Sequence, residues 1–388
     1  MAEYKMVRLG DVCEIQSGGT PSRSKTEYWK DGTIPWVKIG DFSGKYLDKT
    51  TEHITQQGLD NSSAKLFSKG TILYSIFATL GEATILNIDA TTNQAIAGIK
   101  IKDKSSVDID YFYSFLKSLK DEVNRIGRGV AQNNINLSIL KSFFIPLPPL
   151  ETQKQIAAQL DKCTAVIAKH KQMLEKYDTL IKSRFIEMFG DNPIENGKWK
   201  VEKLGNLGLC KNGMNFSYED NGFEINCLGV GDFKDNAVIS DCEKLPVISL
   251  NEKPSEEYLL KDNDIVFVRS NGNKELVGRS VLVHPRVLTT FSGFCIRFRL
   301  STDSINHLFL LQFLKMPNTR KNMAGRGANI QNLNQQILSN LDIPVPQIEL
   351  QNDFASFVQQ IDKSKFAVQK SLEKTETLYK SLMQRYFA

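Results

Sequence analysis

Cysteine and histidine are scarce in this chain, and where they occur they are scattered. Six cysteines (Cys13, Cys163, Cys210, Cys227, Cys242, Cys295) among 388 residues form no Cys-x-x-Cys pair, which argues against a disulfide framework or a zinc ribbon. Four histidines (His53, His170, His284, His307) lie far apart, and no His-Glu-x-x-His motif occurs. No apolar run reaches the ~18 residues of a membrane-crossing helix. The opening MAEYKMVRLGD has no apolar stretch of the secretory kind. A reducing cytoplasm, with no membrane partner and no bound metal, is the expectation.

Catalytic signatures are missing as well. GDFSGK and GDNPIENGK lack the spacing of a phosphate-binding GxxxxGK[ST] loop, and there is no GxGxxG after a strand and no GxSxG. DNPI at Asp191 is not the [DNS]PP[YF] loop of amino-methyltransferases. The adjacent Glu256 and Glu257 sit in a polar loop, where carboxylates are ordinarily just solvated. No catalytic residue is assigned.

What is present is ordinary in bulk and unusual in order. Hydrophobic content of 41% and charged content of 24% fit a soluble globular chain long enough for two or three domains. A net charge of +5 permits a nucleic-acid partner without requiring one. The unusual feature is a repeat. GRGVAQNNINLSILKSFFIPLPPLETQ begins at Gly127, and GRGANIQNLNQQILSNLDIPVPQIELQ begins at Gly325. Subtracting 127 from 325 gives an offset of 198, and that offset holds to the end of the chain, placing LEKYDTLIKS on LEKTETLYKS. Upstream, with small gaps, RLGDVCEIQSG matches KLGNLGLCKNG and IPWVKIGDF matches INCLGVGDF. One unit of about 190 residues is used twice.

Each unit divides into a lobe and a helix. In the first lobe IPWVKIG, GTILYSI, EATILNI and AIAGIKI predict short strands, and DIDYFYSFLKSLKDEVNRI has helical spacing. In the second, DNDIVFVRS, GRSVLVH and GFCIRFRL predict strands and INHLFLLQFLKM a helix. Then, after Pro149, neither glycine nor proline occurs until Gly190. Ile156, Leu160, Cys163, Ile167, His170, Leu174, Tyr177 and Ile181 step alternately by four and three, a heptad seam. The second seam is Phe354, Val358, Ile361, Lys365, Val368, Leu372, Thr375 and Tyr379, with Lys365 and Thr375 imperfect. Two such helices are expected to pack on each other as an antiparallel pair, a rod with a lobe at each end. At ~1.5 Å per residue a helix of about 36 residues is ~54 Å long, or about 16 base pairs of duplex.

The polar segments of the lobes suggest an acidic, elongated ligand. Arginine forks onto phosphate or guanine, and asparagine and glutamine match the adenine edge. Candidate contacts in the first lobe are Arg23 and Lys25 in TPSRSKTEYWKDG, Lys38 in IPWVKIGDF, and Arg128, Gln132, Asn133 and Asn134 in the Gly-Arg-Gly segment. In the second they are Arg269, Asn271 and Lys274 in VRSNGNKELVGRS, and Arg326, Asn329, Gln331 and Asn332 in the second Gly-Arg-Gly segment. The stretch KMPNTRKNMAGRG adds Arg320 and Lys321.

The set RLGDVCEIQSGGTP, IPWVKIGDFSG, LFSKGTILYSIFATLGEA, NQAIAG, Gly-Arg-Gly-amide and IPLPPLETQKQIAAQLD resembles the specificity subunit of type I restriction–modification enzymes, along the whole chain. The second lobe departs from the pattern: INCLGVGDF lacks the tryptophan, and VFVRSNGNKELVGRS replaces LYSIFATLGEA. The resemblance implies an α+β chain with two target-recognition lobes, 1–148 and 191–346, and two long helices, 149–190 and 347–388. It implies double-stranded DNA with a split recognition site as ligand, and two methyltransferase subunits and restriction/translocase subunits as partners. S-adenosylmethionine, ATP and Mg are expected on those partners, with adenine N6 methylation as their chemistry and no cofactor in this chain. Two other readings stay open from the residues alone. One is a DNA-modifying enzyme of unfamiliar signature, and the other a coiled-coil scaffold that does not retain DNA.

Overall fold

The structure, a computed structural model, describes residues 4–127, 134–217, 219–233, 237–324 and 332–387. It contains two compact units: one comprises the chain up to Lys171 together with the segment from Lys370, and the other is Gln172–Gln369. Each unit holds one lobe and part of both long helices.

In the first unit a five-stranded sheet has the spatial order Cys13–Ser17, Ile96–Ile101, Ile72–Ser75, Ala83–Leu86, Tyr46–Leu47. The last pair is parallel and the others antiparallel. A three-stranded sheet has the order Glu52–Ile54, Ile34–Val37, Thr91–Thr92. The second unit repeats both sheets, in the same order and directions. Its strands are Gly208–Asn212, Cys295–Leu300, Asp264–Val268, Ser280–Val283 and Val238–Ile239, then Val247–Leu250, Phe223–Leu228 and Thr289–Phe291. The predicted strands thus fall where the apolar runs are. Ile72–Ser75 and Asp264–Val268 are buried at every position, as befits central strands covered on both faces.

One face of each five-stranded sheet is covered by a capped helix. Asp108 accepts from the backbone N–H groups of Asp110 and Tyr111 and starts Ile109–Ser118, and Asn306 starts His307–Leu314 in the same way. The helical stretch expected through Ile126 is broken at Leu119, whose side chain is buried, and resumes as Lys120–Gly127.

The two long helices are Leu150–Phe189 and Ile348–Phe387, each of 40 residues and so ~60 Å long at ~1.5 Å per residue. Gln153 donates its N–H to the Pro149 carbonyl at the start of the first. At its end Gly190 takes φ 95° and donates to the Ile186 carbonyl, 2.8 Å, the left-handed stop that glycine adopts without penalty. Every position of both predicted seams is buried or half-buried. Within the first unit Tyr386 donates to Gln159 (2.6 Å) and Lys171 pairs with Glu376 (3.1 Å). Within the second, Lys365 pairs with Asp178 (2.6 Å) and the Phe185 and Phe354 rings lie 5.4 Å apart. In each unit the two helices therefore run antiparallel. Lys365, the imperfect seam residue, is accommodated by its carboxylate across the pair.

Both helices also complete the lobe cores. Ile156 and Leu160 are buried with Tyr74, Ile99, Phe112 and Phe115, against which Tyr386 and Phe387 pack. In the second unit Phe185, Phe189, Phe354 and Val358 are buried with Phe267, Phe298 and Phe309.

The lobe-to-helix junction explains why the chain repeats itself there. Gln153 is fully buried; its Oε1 accepts from the Asp108 N–H (2.9 Å), and its Nε2 donates to the Ser106 and Pro148 carbonyls, both 2.9 Å. Gln351 does the same in the second unit, accepting from the Asn306 N–H (2.8 Å) and donating to the carbonyls of Ser304 (3.2 Å) and Pro346 (2.7 Å). One amide thus ties three backbone segments together at each junction. No described helix is long and apolar enough to cross a membrane.

Candidate nucleic-acid interface

The topology gathers loops at one end of each lobe. In the first, Ser17 pairs with Ala97 and Ser75 with Ile96. The segments 18–25, 76–82 and 93–95 therefore leave the sheet at the same end. Cys13 pairs with Ile101 at the other end, where Ser106 and Asp108 meet Gln153. The chain returns to the loop end at Asn134, bridged to Phe77, and the Ile135 N–H donates to the Ile76 carbonyl, 3.0 Å. Lys38 joins the group because Val37 pairs with Thr92.

At the base of this cluster two backbones touch. A Cβ on Gly18 would lie 2.2 Å from the Thr92 carbonyl oxygen, and one on Gly213 would lie 2.1 Å from that of Ser292. Only glycine fits at these equivalent strand ends.

Arg23 and Lys38 share one carboxylate. Arg23 Nη2 lies 2.6 Å from Glu52 Oε2 and Lys38 Nζ 2.5 Å from Glu52 Oε1. The hydrogen bond from Lys38, with Arg23 adding to it against the effect of burial, holds the Glu52 carboxyl below its usual range. The Arg23 guanidinium also lies 3.5 Å from the Trp29 ring centroid and 4.8 Å from that of Trp36, and the two indoles meet edge to face at 5.0 Å. Exposed ion pairs and cation–π contacts are each worth only ~0.5–1 kcal/mol, so their effect here is orientation. Arg23 remains half exposed, presenting a fixed donor fork to anything that meets the surface. Lys25 donates to the Tyr28 hydroxyl (2.9 Å), which raises its pKa.

The GDF turn that follows is scaffold. Asp41 accepts from the Lys38 N–H (2.8 Å) and from the Thr50 (2.9 Å) and Thr51 (3.1 Å) hydroxyls. Burial raises its pKa, but these bonds outweigh burial and leave it below the usual range. Asp232 holds Gly229 in the same way, 2.8 Å. At this shared turn the first lobe has Trp36 and Lys38, where the second has Cys227 and Gly229. The frame is kept and the chemistry displayed on it changes.

In the second lobe the equivalent loop begins with Arg269 and Ser270. Arg269 donates Nη1 to the Gly293 carbonyl (3.2 Å), Ser270 bridges Asn332, and the Leu333 N–H donates to the Arg269 carbonyl, 2.8 Å. Asn271 accepts from the Asn273 N–H, 2.8 Å, and so shapes its own turn. Lys274 lies in the next turn. Arg320 is spent on the scaffold, donating to the carbonyls of Glu275 (2.7 Å) and Val277 (3.2 Å). Arg128, Gln132, Asn133, Arg326, Asn329 and Gln331 lie outside the described residues. Of the amide run, Asn136 and Asn334 cap short helices, accepting from the N–H groups of Ile139 and Ile337. Asn134 and Asn332 are tied to the loop cluster through their backbones.

Sequence reading missed Trp29 and Glu52, which orient Arg23, and the exposed rings Phe77 and Phe294, 42% and 61% accessible. Phe77 bridges Asn134 and Phe294 adjoins Arg269, where a ring can stack on a base. No local pattern announces Trp29 or Glu52 as partners of Arg23. Among the described residues no cluster of histidine, cysteine and carboxylate side chains is placed to hold a metal.

The sequence matches the family described as type I restriction modification DNA specificity domain over residues 1–176 and again over 196–376. It is similar to the type I restriction enzyme StySPI specificity subunit of Salmonella potsdam, at 26% identity over 389 residues covering 93% of this chain and 82% of that one. It is similar also to the MjaIX specificity subunit of Methanocaldococcus jannaschii, at 27% identity over 240 residues covering 57% of this chain and just 55% of that relative's length. The crystal structure of the type I restriction–modification S subunit from M. genitalium shares the fold, with a TM-score of 0.59 at 15% identity over 99% of this chain and 96% of that one. Two lobes on one scaffold, each followed by a long helix, are thus two copies of one domain, and the chain belongs to the type I restriction–modification DNA specificity family.

Proposed function

We propose that this chain chooses the DNA address of a type I restriction–modification complex and performs none of its chemistry. Each lobe, 1–148 and 191–346, reads one half of a split site in double-stranded DNA through the loops at the end of its sheet. The helices, 149–190 and 347–388, set the unread spacer and dock two methyltransferase subunits, through which restriction/translocase subunits join. S-adenosylmethionine, ATP and Mg act on those partners, in the cytoplasm.

The observation that carries this reading is the loop end of the lobes. The same strands deliver the same loops there twice, with different side chains: Arg23, Lys38 and Glu52 over two indoles in one lobe, Arg269 and the exposed Phe294 in the other. Different displays on one frame suit an asymmetric target. Side chains at such an end reach base edges, while basic residues around them meet phosphate.

The test is methylation-site sequencing of DNA from cells co-expressing this chain with its cognate methyltransferase subunit. A split motif with N6-methyladenine in both halves is the expected result. Absence of methylation where the complex demonstrably assembles would overturn the reading.

A further inference from the structure

The two lobes also differ at the place where each packs on the long helices. In the first unit that place is full. Lys45 Nζ pairs with Asp161 (2.6 Å) and Asp110 (2.9 Å), the Tyr46 hydroxyl donates to Asp110 (2.7 Å), and Lys45 lies 5.6 Å from the Tyr113 ring centroid. Tyr379 on the second long helix borders the same cluster, coupled to Tyr113 and Asp161.

The second unit has small or aliphatic residues at these equivalent positions, except for a glutamine where Asp161 stands. Strand register equates Lys45 with Ala237, since the Ile85 N–H donates to the Lys45 carbonyl and the Leu282 N–H to that of Ala237; Tyr46 then becomes Val238. The repeat offset equates Tyr113 with Leu311, Tyr379 with Ile181, Asp110 with Leu308 and Asp161 with Gln359. The result is a cavity of about 320 Å³, at the lower end of the range for small-molecule sites. Its apolar floor includes Ile181, Leu308, Leu311 and Val358.

Two groups of opposite charge, Lys315 and Asp362, line this cavity without a direct side-chain hydrogen bond or ion pair among the described residues. The other charged pair in the lining, Lys365 with Asp178, is already closed at 2.6 Å. Burial, with Lys365 adding to it, pushes the Lys315 ammonium down to about 8, and burial pushes the Asp362 carboxyl up. The opposite charges nearby, Asp178 and Asp362 around Lys315 and Lys365 and Lys315 around Asp362, only partly offset the burial, so both half-buried groups keep unused hydrogen-bonding capacity toward the cavity.

We propose that this cavity binds a small zwitterion with an aromatic body, for which a free aromatic amino acid is the simplest form: carboxylate to Lys315, ammonium to Asp362, ring on the floor that tyrosines fill in the first lobe. The site is independent of the DNA-reading loops. The geometry accounts for all three parts of the ligand, and the first lobe shows that rings fit this architecture.

Calorimetric titration of the full chain with L-phenylalanine tests it. Saturable binding with a dissociation constant of roughly a millimolar is expected, weakened about tenfold or more by Lys315→Met and by Asp362→Asn. Phenylacetate and phenethylamine, which each keep one charge, should bind correspondingly less well. Ile181→Tyr and, separately, Val238→Tyr restore the ring of the first lobe and should abolish binding while melting no lower than wild type. No saturable heat with the wild-type chain overturns the proposal. So does phenylalanine binding that survives a filled cavity in either variant shown to be folded by circular dichroism.

Discussion

Replacing Gln351 by alanine should destabilise the second lobe by about 3 kcal/mol. The side chain is fully buried and makes three hydrogen bonds to backbone groups, the Asn306 N–H and the carbonyls of Ser304 and Pro346. Each buried group left unpaired costs ~1–3 kcal/mol, and an orphaned N–H is worse than a carbonyl with a second lone pair. The three losses are not fully additive, because a water can enter the space and bridge some of them. Gln351→Glu sharpens the test. The new oxygen would face two carbonyl oxygens, so the introduced carboxyl is held above its unfolded value in the folded state. Its destabilisation is then greatest at neutral pH and is relieved as pH falls through the raised folded value. Urea unfolding at pH 7 and at pH 5, with the exposed Gln360→Ala as a control, measures both effects. A loss below ~0.5 kcal/mol for Gln351→Ala, the ordinary surface value, would refute the account of the junction.

Phe189→Ala should cost ~3–5 kcal/mol in thermal or urea unfolding, because its ring lies 4.7 Å from Phe309 and 5.0 Å from Phe185, fully inside the second core. Glu82, between Lys117 and Lys120, is held below its unfolded value of about 4.5 by those two bonds against burial. Its stabilisation is present above that pH and lost as pH falls through the folded value, so Glu82→Gln should flatten the acid limb of the stability curve. Arg23→Ala should weaken DNA binding by ~1–3 kcal/mol with relaxed readout in one half-site if the guanidinium meets a base, or uniformly with a shallower salt dependence if it meets phosphate; unchanged affinity and salt slope in a filter-binding assay would remove it from the interface. Adding one heptad to both long helices, between the Lys171–Glu376 and Lys365–Asp178 pairs, should lengthen the methylated spacer by about three base pairs, at ~1.5 Å per residue and ~3.4 Å per base pair. Both half-site sequences should stay the same, and a change in them instead would discredit the proposal that the helices set the spacer.

What the sequence makes legible is what repeats with a period. The strands are apolar runs between glycine and asparagine turns, and the helices carry a seam that survives even where Lys365 interrupts it, because Asp178 answers across the pair. The junction was visible as a repeated Gln153 and Gln351, although not that one amide would close three backbone gaps at each. The site is less legible, since it depends on long-range neighbours. Arg23 meets Glu52 and Trp36 only because two sheets bring distant segments together, and nothing local distinguishes it from Arg320, whose donors go to the backbone. Amides of the two equivalent runs divide likewise: Asn136 and Asn334 have a capping role that their place three residues before an aliphatic pair could have suggested.

The internal repeat serves as a control experiment carried out within one chain. Several positions that do the same mechanical job are the same residue twice: Gln153 and Gln351 at the junctions, Asn136 and Asn334 at two caps, Gly18 and Gly213 under the loops, Asp41 and Asp232 in the turn; Asp108 and Asn306 share a capping job through the equivalent side-chain oxygen. Positions that have diverged to chemistry unable to do the same job are free of it, so they answer to something else. By this criterion Lys38 against Gly229 and Trp36 against Cys227 are free to serve the proposed readout, because the turn they adorn closes with the same backbone bond in both lobes. Lys45 against Ala237 and Tyr379 against Ile181 diverge on the far side of the lobe, next to the helices, where readout of bases offers no reason for the change. A lobe can therefore vary at two faces while its frame stays fixed, and the second of those faces requires its own explanation.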